Sequence, residues 1–356
     1  MQTVVNNKKE RASNIELYRI VLMLLIVAHH YVVNSGIQNL LYEQPFKIQS
    51  IFLFIFGAWG KIGINCFILI TGYYMCKSNI TVKKFLKLLL EVEFYKIVIY
   101  LIFVTTGYEN ISIKGVYQAI WPFTSIASNF TGCFLAFYLF IPYINILINN
   151  LKEKQHLMLI GLVIFIYSIL GNIPFINIVM NYITLYFIIY LIGSYIRMYP
   201  KDIFINKKLI NIIFIICILF CIASILICLY IGNKFNLKLA HYFVADSNKL
   251  LAILTAVSIF LWFKNLNIKT NKFINTIGSS TFGILCIHAN SDTMRKFLWN
   301  DLLHVSSMIN SRILVIHAIL SVIGIFIVCE IIDQIRIRYI EKPLFSAIKH
   351  YFTYSK

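Results

Sequence analysis

Asn14-Ile-Glu-Leu-Tyr-Arg-Ile-Val-Leu-Met-Leu-Leu-Ile-Val-Ala-His-His-Tyr31 is the stretch that decides the fold. Its apolar residues run without alternation, so it reads as helix and not as a barrel strand. It is longer than the apolar core of a signal peptide, holds Arg19, His29 and His30, and is followed by no small-residue cleavage site. A helix of this length and character crosses a bilayer. The rest of the 356-residue chain agrees, being 60% hydrophobic, 15% aromatic and only 13% charged. A soluble protein carries about 25% charged residues, and so few polar groups cannot cover a soluble core. A soluble enzyme, a DNA-binding protein and a disordered chain are therefore excluded, despite a formal charge of +18.

Ten such stretches can be drawn, at 15–35, 51–76, 84–106, 131–150, 157–171, 178–196, 209–231, 248–264, 277–290 and 312–332. The expected fold is all-α: one polytopic membrane domain over 1–356 with about ten transmembrane helices and a tail at 333–356. Lys and Arg set the orientation, because cytoplasmic loops hold them in excess. With the N-terminus and its Lys8, Lys9 and Arg11 inside, inner segments hold 21 of the 32 basic residues and outer loops 8. Basic residues near the span ends count with the adjoining loops; the other three, Arg19, Lys61 and Lys96, lie deeper within spans. Both termini are thus expected to be cytoplasmic, the tail carrying Arg336, Arg338, Lys342, Lys349 and Lys356. The basic balance then reflects topology and contact with anionic lipid, with no nucleic-acid partner. The eight Cys lie mainly inside spans without a CxxC pair, which reads as apolar packing. Asn110-Ile-Ser112 and Asn129-Phe-Thr131 are sequons on expected outer loops. No phosphate-binding loop, HExxH, GxSxG or zinc-spaced Cys/His cluster is present, so no metal is expected.

Ionisable groups inside a bilayer are costly, which makes each a candidate for function. At about 100° per residue, Glu16 and Arg19 are i,i+3 neighbours, and His30 lies three turns beyond Arg19 on the same face, about 16 Å along the axis. His29 is turned about 100° from that stripe. The stripe has two readings. It faces a cavity rising from the cytoplasmic mouth, or it is an interfacial Glu–Arg pair plus a hydrogen-bonded core histidine. In the third stretch Glu93 and Lys96 have the spacing of an internal ion pair, and Glu91 has no local partner. Lys61 sits between Gly60 and Gly63, a broken stretch where backbone could line a cavity. His288 and His317 are each isolated, the pattern of a helix–helix hydrogen bonder.

Arg19-x10-His30, preceded by Asn14-Ile-Glu16, resembles the signature of the acyltransferase-3 family of integral membrane acyltransferases. Four further segments agree in order: Gly63-Ile-Asn-Cys-Phe-Ile-Leu-Ile-Thr-Gly-Tyr73, Tyr190-Leu-Ile-Gly193, Phe282-Gly-Ile-Leu-Cys-Ile-His288 and Glu341-Lys-Pro343. One departure is Lys83-Lys84-Phe-Leu-Lys87, where the family often has Arg-x3-Arg. Lysine binds phosphate as a point charge but lacks the bidentate fork.

The resemblance implies transfer of an acetyl group from cytoplasmic acetyl-CoA, as donor co-substrate, to a sugar hydroxyl. The acceptor would be a surface polysaccharide, capsular or exopolysaccharide, or its lipid-linked precursor, at the bacterial plasma membrane. It also implies that His30 is catalytic. Chemistry supports that choice, since a sugar hydroxyl attacks a thioester poorly until a base takes its proton, and imidazole suits that task. His30 is expected as general base or transient acyl carrier. Arg19, with Lys83, Lys84 and Lys87, would attract the phosphates of coenzyme A, and Glu16 would hold Arg19. Asn65, Tyr73 and His288 are expected on the wall of the substrate site. A transporter of a polysaccharide or lipid-linked glycan suits the same composition, as does an acyltransferase using succinyl-CoA.

Overall fold

Long apolar runs satisfy their backbone groups in lipid only by coiling into helix, and helix is what these residues form. The computed structural model describes residues 11–121, 130–173, 176, 178 and 181–347. Lys8, Lys9, Asn129, Lys349 and Lys356, named above, lie outside the described residues. The first half contains α1 (Ser13–Val33), α2 (Ile37–Leu41), α3 (Ile48–Phe56), α4 (Gly60–Met75), α5 (Val82–Thr105), α6 (Ile113–Ile120) and α7 (Phe130–Asn150). The second half contains α8 (Glu153–Ile164), α9 (Tyr182–Met198), α10 (Lys207–Lys234), α11 (Leu250–Lys264), α12 (Lys272–Ser279), α13 (Thr281–His288), α14 (Asp292–Lys296) and α15 (Leu314–Arg336). No strand occurs among the described residues.

The polar knots between apolar runs act as caps. Thr81 accepts from the Lys84 backbone N–H at 3.3 Å at the start of α5. Asn181, Asn206 and Asn271 do the same for α9, α10 and α12, at 3.0, 3.1 and 3.1 Å.

Among the described residues, six helices have the length and apolarity to cross a membrane: Ser13–Val33, Ile48–Met75, Phe130–Asn150, Glu153–Asn172, Lys207–Lys234 and Leu314–Ala347. The ten expected stretches differ from these six for physical reasons. Helices α9 and α11 are apolar but short. Helix α5 carries Lys83, Lys84, Lys87, Glu91, Glu93 and Lys96 along its length. Helices α12 and α13 are short pieces separated at Ser280. The second stretch also breaks, between α3 and α4. A Cβ on Gly57 would stand 2.8 Å from Val32 Cβ, and one on Gly60 2.2 Å from the His29 ring. These glycines let the broken pair lie flush on α1.

Helix α1 occupies the centre, packed by α3, α4, α11, α12, α13 and α15. Helices α4 and α9 meet more closely still. A Cβ on Gly72 would lie 2.6 Å from the Tyr190 carbonyl oxygen, and one on Gly193 2.6 Å from that of Leu69. This is the small-residue contact by which membrane helices associate. The packing gives the bundle two distinct ends. Glu16 abuts Gly278 of α12, Gln334 of α15 donates to the Thr276 carbonyl at 2.9 Å, and Lys87 pairs with Glu341 at 2.7 Å. Tyr73 receives a hydrogen bond from Arg197 at 3.1 Å. This basic end gathers Arg19, Lys87, Arg197 and Arg336; His30 lies toward the other.

Candidate active site

The last turn of α1 carries His30, and the last turn of α13 carries His288. The two rings meet with His30 Nδ1 3.0 Å from His288 Nε2. His288 Nδ1 lies 2.6 Å from the Ile284 carbonyl oxygen, and a carbonyl can only accept, so Nδ1 carries the proton. In a neutral ring Nε2 of His288 is then an acceptor, and His30 donates to it through Nδ1–H. The His30 Nε2 lone pair is left over, and His30 lines a cavity of about 620 Å³. A neutral imidazole held in one tautomer, with its free nitrogen toward a polar cavity, can act as a general base or a nucleophile.

The cavity lies at the end of the bundle away from Arg19. Its walls come from the end of α1, the start of α4, the second half of α5, α6, Tyr182 at the start of α9, and residues 289–293 and Arg295. The expectation of a cavity rising from Arg19 is therefore corrected. Met23 and Ile26, which continue the Arg19–His30 stripe, are 1% and 5% exposed and fill that face with packed side chains. His29, expected to turn away, also lines the cavity, and its Nδ1 donates to the Gly57 carbonyl at 2.5 Å. The His29 ring packs on Gly60, itself on the cavity wall, so a side chain about 100° from the stripe still reaches the space.

Lys61 lines the cavity as its glycine setting suggested. It donates to the Tyr182 hydroxyl at 2.6 Å and stands 3.9 Å from Asp246. Lys96, also on the wall, pairs with Glu93 at 3.8 Å and donates to the Trp121 carbonyl at 2.6 Å. Arg295 reaches Asp292 at 2.7 Å. The pattern of spans could not announce Arg295, because it lies on an expected outer loop where a basic residue carries no penalty.

The other expected residues fall elsewhere. Glu16 is ion-paired with Arg19 at 3.5 Å and Arg11 at 3.3 Å, so the Glu–Arg spacing is realised at the basic end. Lys83 lies over the Phe345 ring, 5.6 Å from its centroid. Lys84 donates to Ser78 and to the Asn79 carbonyl at 2.8 and 2.7 Å, and Lys87 is held by Glu341. These lysines share the basic end with Arg19, and none of the four lines the cavity. Asn65 is fully buried and donates to the Ser247 carbonyl at 2.8 Å; it pins the 239–249 loop and does not line the cavity. Tyr73 lies at the basic end under Arg197. For Asn65 and Tyr73, placement on the wall around His30 is therefore not met: Asn65 lies between the lining residues Ile64 and Phe67 but faces the Ser247 carbonyl, and Tyr73 lies more than a turn beyond Phe67.

His317 takes the helix–helix role expected of it, 2.9 Å from the Tyr31 hydroxyl. Glu91 finds its partner far away in sequence. Arg336 binds Glu91 at 2.9 Å, Asp333 at 2.8 Å and Glu341 at 3.0 Å. Tyr95 donates to Asp333 at 2.7 Å. Among the described residues no group of His, Cys, Asp and Glu is arranged to hold a metal ion. All eight cysteines are free thiols.

A family model described as an acyltransferase domain, acyltransferase-3, matches residues 13–332. The Arg19–His30 stripe, Gly72, Gly193 and His288 fall within the match, and Glu341-Lys-Pro343 lies beyond it. No curated protein and no solved structure matches the chain.

Proposed function

The chain belongs to the acyltransferase-3 family, and from that membership we propose that it moves an acetyl group from cytoplasmic acetyl-CoA to a sugar hydroxyl of a surface polysaccharide or its lipid-linked precursor. The observation that carries the reading is the His30–His288 pair at the wall of a polar cavity. His30 Nε2 takes the proton of the acceptor hydroxyl as its oxygen attacks the thioester carbonyl. The C–S bond then breaks, and the proton passes from His30 to the departing thiolate. His288 accepts the Nδ1–H bond throughout and so supports the imidazolium that forms.

In this reading the protein crosses the bacterial plasma membrane ten times, the basic end faces the cytoplasm and both termini lie there. Arg19, Lys83, Lys84 and Lys87 meet the coenzyme A phosphates at that end. The pantetheine arm runs along α1, parting Met23 and Ile26, to bring the thioester about 16 Å inward to His30. The acceptor enters from the opposite side through the cavity. Donor and acceptor therefore approach one imidazole from two ends.

The test compares the O-acetyl content of the surface glycan by NMR in cells carrying the wild type, His30→Ala or Arg19→Ala at equal membrane abundance. His30→Ala should lose acetylation by about 10²- to 10⁴-fold, the worth of a positioned base. Normal acetylation by that variant would overturn the mechanism. Incubating the purified protein with radiolabelled acetyl-CoA and glycan separates a transferase from an exporter, because a pure exporter leaves the glycan unlabelled.

A further inference from the structure

We infer that the cavity beside His30 takes an acceptor carrying an oxyanion, a sugar unit bearing a carboxylate or a phosphate next to the reacting hydroxyl, held by Lys61 and Arg295. This rests on the transferase reading and narrows its substrate class. Three cationic side chains line the cavity: Lys61, Lys96 and Arg295, with 24%, 19% and 33% of the side chain exposed. Their acidic neighbours are placed differently. Asp246, 3.9 Å from Lys61, is 60% exposed, and Asp292, beside Arg295, is 98% exposed. Both carboxylates are solvated, Asp292 at the rim of the cavity, while the cations they face are far less exposed. Of the three, Lys96 is the one whose counter-ion is largely withdrawn from solvent, Glu93 being 15% exposed. Glu109 also lines the cavity and supplies an acceptor for sugar hydroxyls.

Arg295 adds a sharper sign. Its guanidinium engages Asp292 through one terminal nitrogen, and its Nε–H is buried without a hydrogen-bond partner. A buried donor left unmet is costly, and an arginine fork binds a planar carboxylate or a phosphate through two nitrogens at once. Lys61 spends one donor on Tyr182 and has two more. A neutral sugar would satisfy neither inward charge; an oxyanion between them would satisfy both. It would also hold the acceptor ring against the wall that carries His30 Nε2.

The experiment uses the full chain, purified in detergent. Galacturonate oligosaccharides, glycerol-phosphate oligomers and neutral galactose oligosaccharides are each titrated into the wild type, Lys61→Met and Arg295→Gln, with the melting temperature as readout. One or both anionic probes should raise the wild-type melting temperature, and the neutral probe should leave it unchanged. The two anionic arms tell carboxylate from phosphate. Each substitution should weaken anion binding at least tenfold, Lys61→Arg should retain it, and the shift produced by acetyl-CoA should persist in all variants. Equal binding of the neutral probe, no binding of any probe, or loss of the acetyl-CoA shift in the variants would each overturn the proposal; the last would give these cations to the donor. Transfer of radiolabel from acetyl-CoA to glycan is followed in parallel. Selective anion binding without such transfer would sink the transferase reading and leave the anion site standing.

Discussion

His288 sets the tautomer of His30 through one hydrogen bond of 3.0 Å, and is itself set by the carbonyl of Ile284 at 2.6 Å. In the proposed mechanism this makes it a positioning residue, with a signature different from that of a wall residue. His288→Ala should lower kcat by about 10- to 100-fold, less than the 10²- to 10⁴-fold that the base itself supplies, and leave KM for the acceptor nearly unchanged. A large rise in KM with kcat intact, measured with purified protein, would return His288 to the acceptor wall. Asn65 makes the opposite case. It is buried and tied to the Ser247 carbonyl, so Asn65→Ala should cost about 1–3 kcal/mol of stability, the penalty of an orphaned buried acceptor. A lower melting temperature with unchanged KM is expected. His30 was legible because its spacing from Arg19 survives folding within one helix. Asn65 and Tyr73 do not line the His30 cavity, and their spacing could not say so, because a motif fixes position along α4 and leaves open which neighbour each side chain meets.

At the scale of elements, two close crossings explain motif glycines that the sequence showed only as a pattern. Gly72 and Gly193 bring α4 against α9, and Gly283 brings α13 against α15, where a Cβ would lie 2.2 Å from Asp333. Gly193→Val should therefore force the α4–α9 pair apart and reduce the folded fraction, seen as lost monodispersity in detergent. The α13 crossing also seats His288, so the packing that stabilises the bundle also places the His30–His288 pair. Beneath it lies the cluster of Arg336 with Glu91, Asp333 and Glu341, which ties α5 to the end of α15. Arg336→Met would leave three carboxylates without their shared cation. Breaking such a buried pair costs about 3–5 kcal/mol, and thermal unfolding of the purified variant should show a loss on that scale. Apolar runs disclosed the helices themselves, since hydropathy is local along the chain. The cluster stayed hidden because Glu91 and Arg336 are brought together only by tertiary packing, and no spacing rule spans that distance.

The whole molecule has two chemically different ends, and its proposed mechanism depends on which of them faces the cytoplasm. Arg19, Lys87, Arg197 and Arg336 share one end; the cavity walls near Lys61, Gln118 and Arg295 share the other. In the proposed orientation, which follows the positive-inside bias, the first group faces the cytoplasm, where coenzyme A resides, and the cavity opens toward the outside. Single cysteines test this directly. The eight native thiols are buried except for half-buried Cys217, in the apolar α10, so background labelling by a charged maleimide should be low. Asp292→Cys, at a position whose side chain is 98% exposed, should label in intact cells, as should Lys114→Cys. Lys83→Cys should label only after the membrane is permeabilised. The reverse pattern would put the lysines outside and the cavity inside, separating Lys83, Lys84 and Lys87 from coenzyme A and leaving an outer glycan no way to His30. With the expected pattern, the packed stretch of Met23 and Ile26 becomes the partition between two aqueous faces. In the proposed reading an acyl group crosses that partition on its carrier arm, and the glycan never has to.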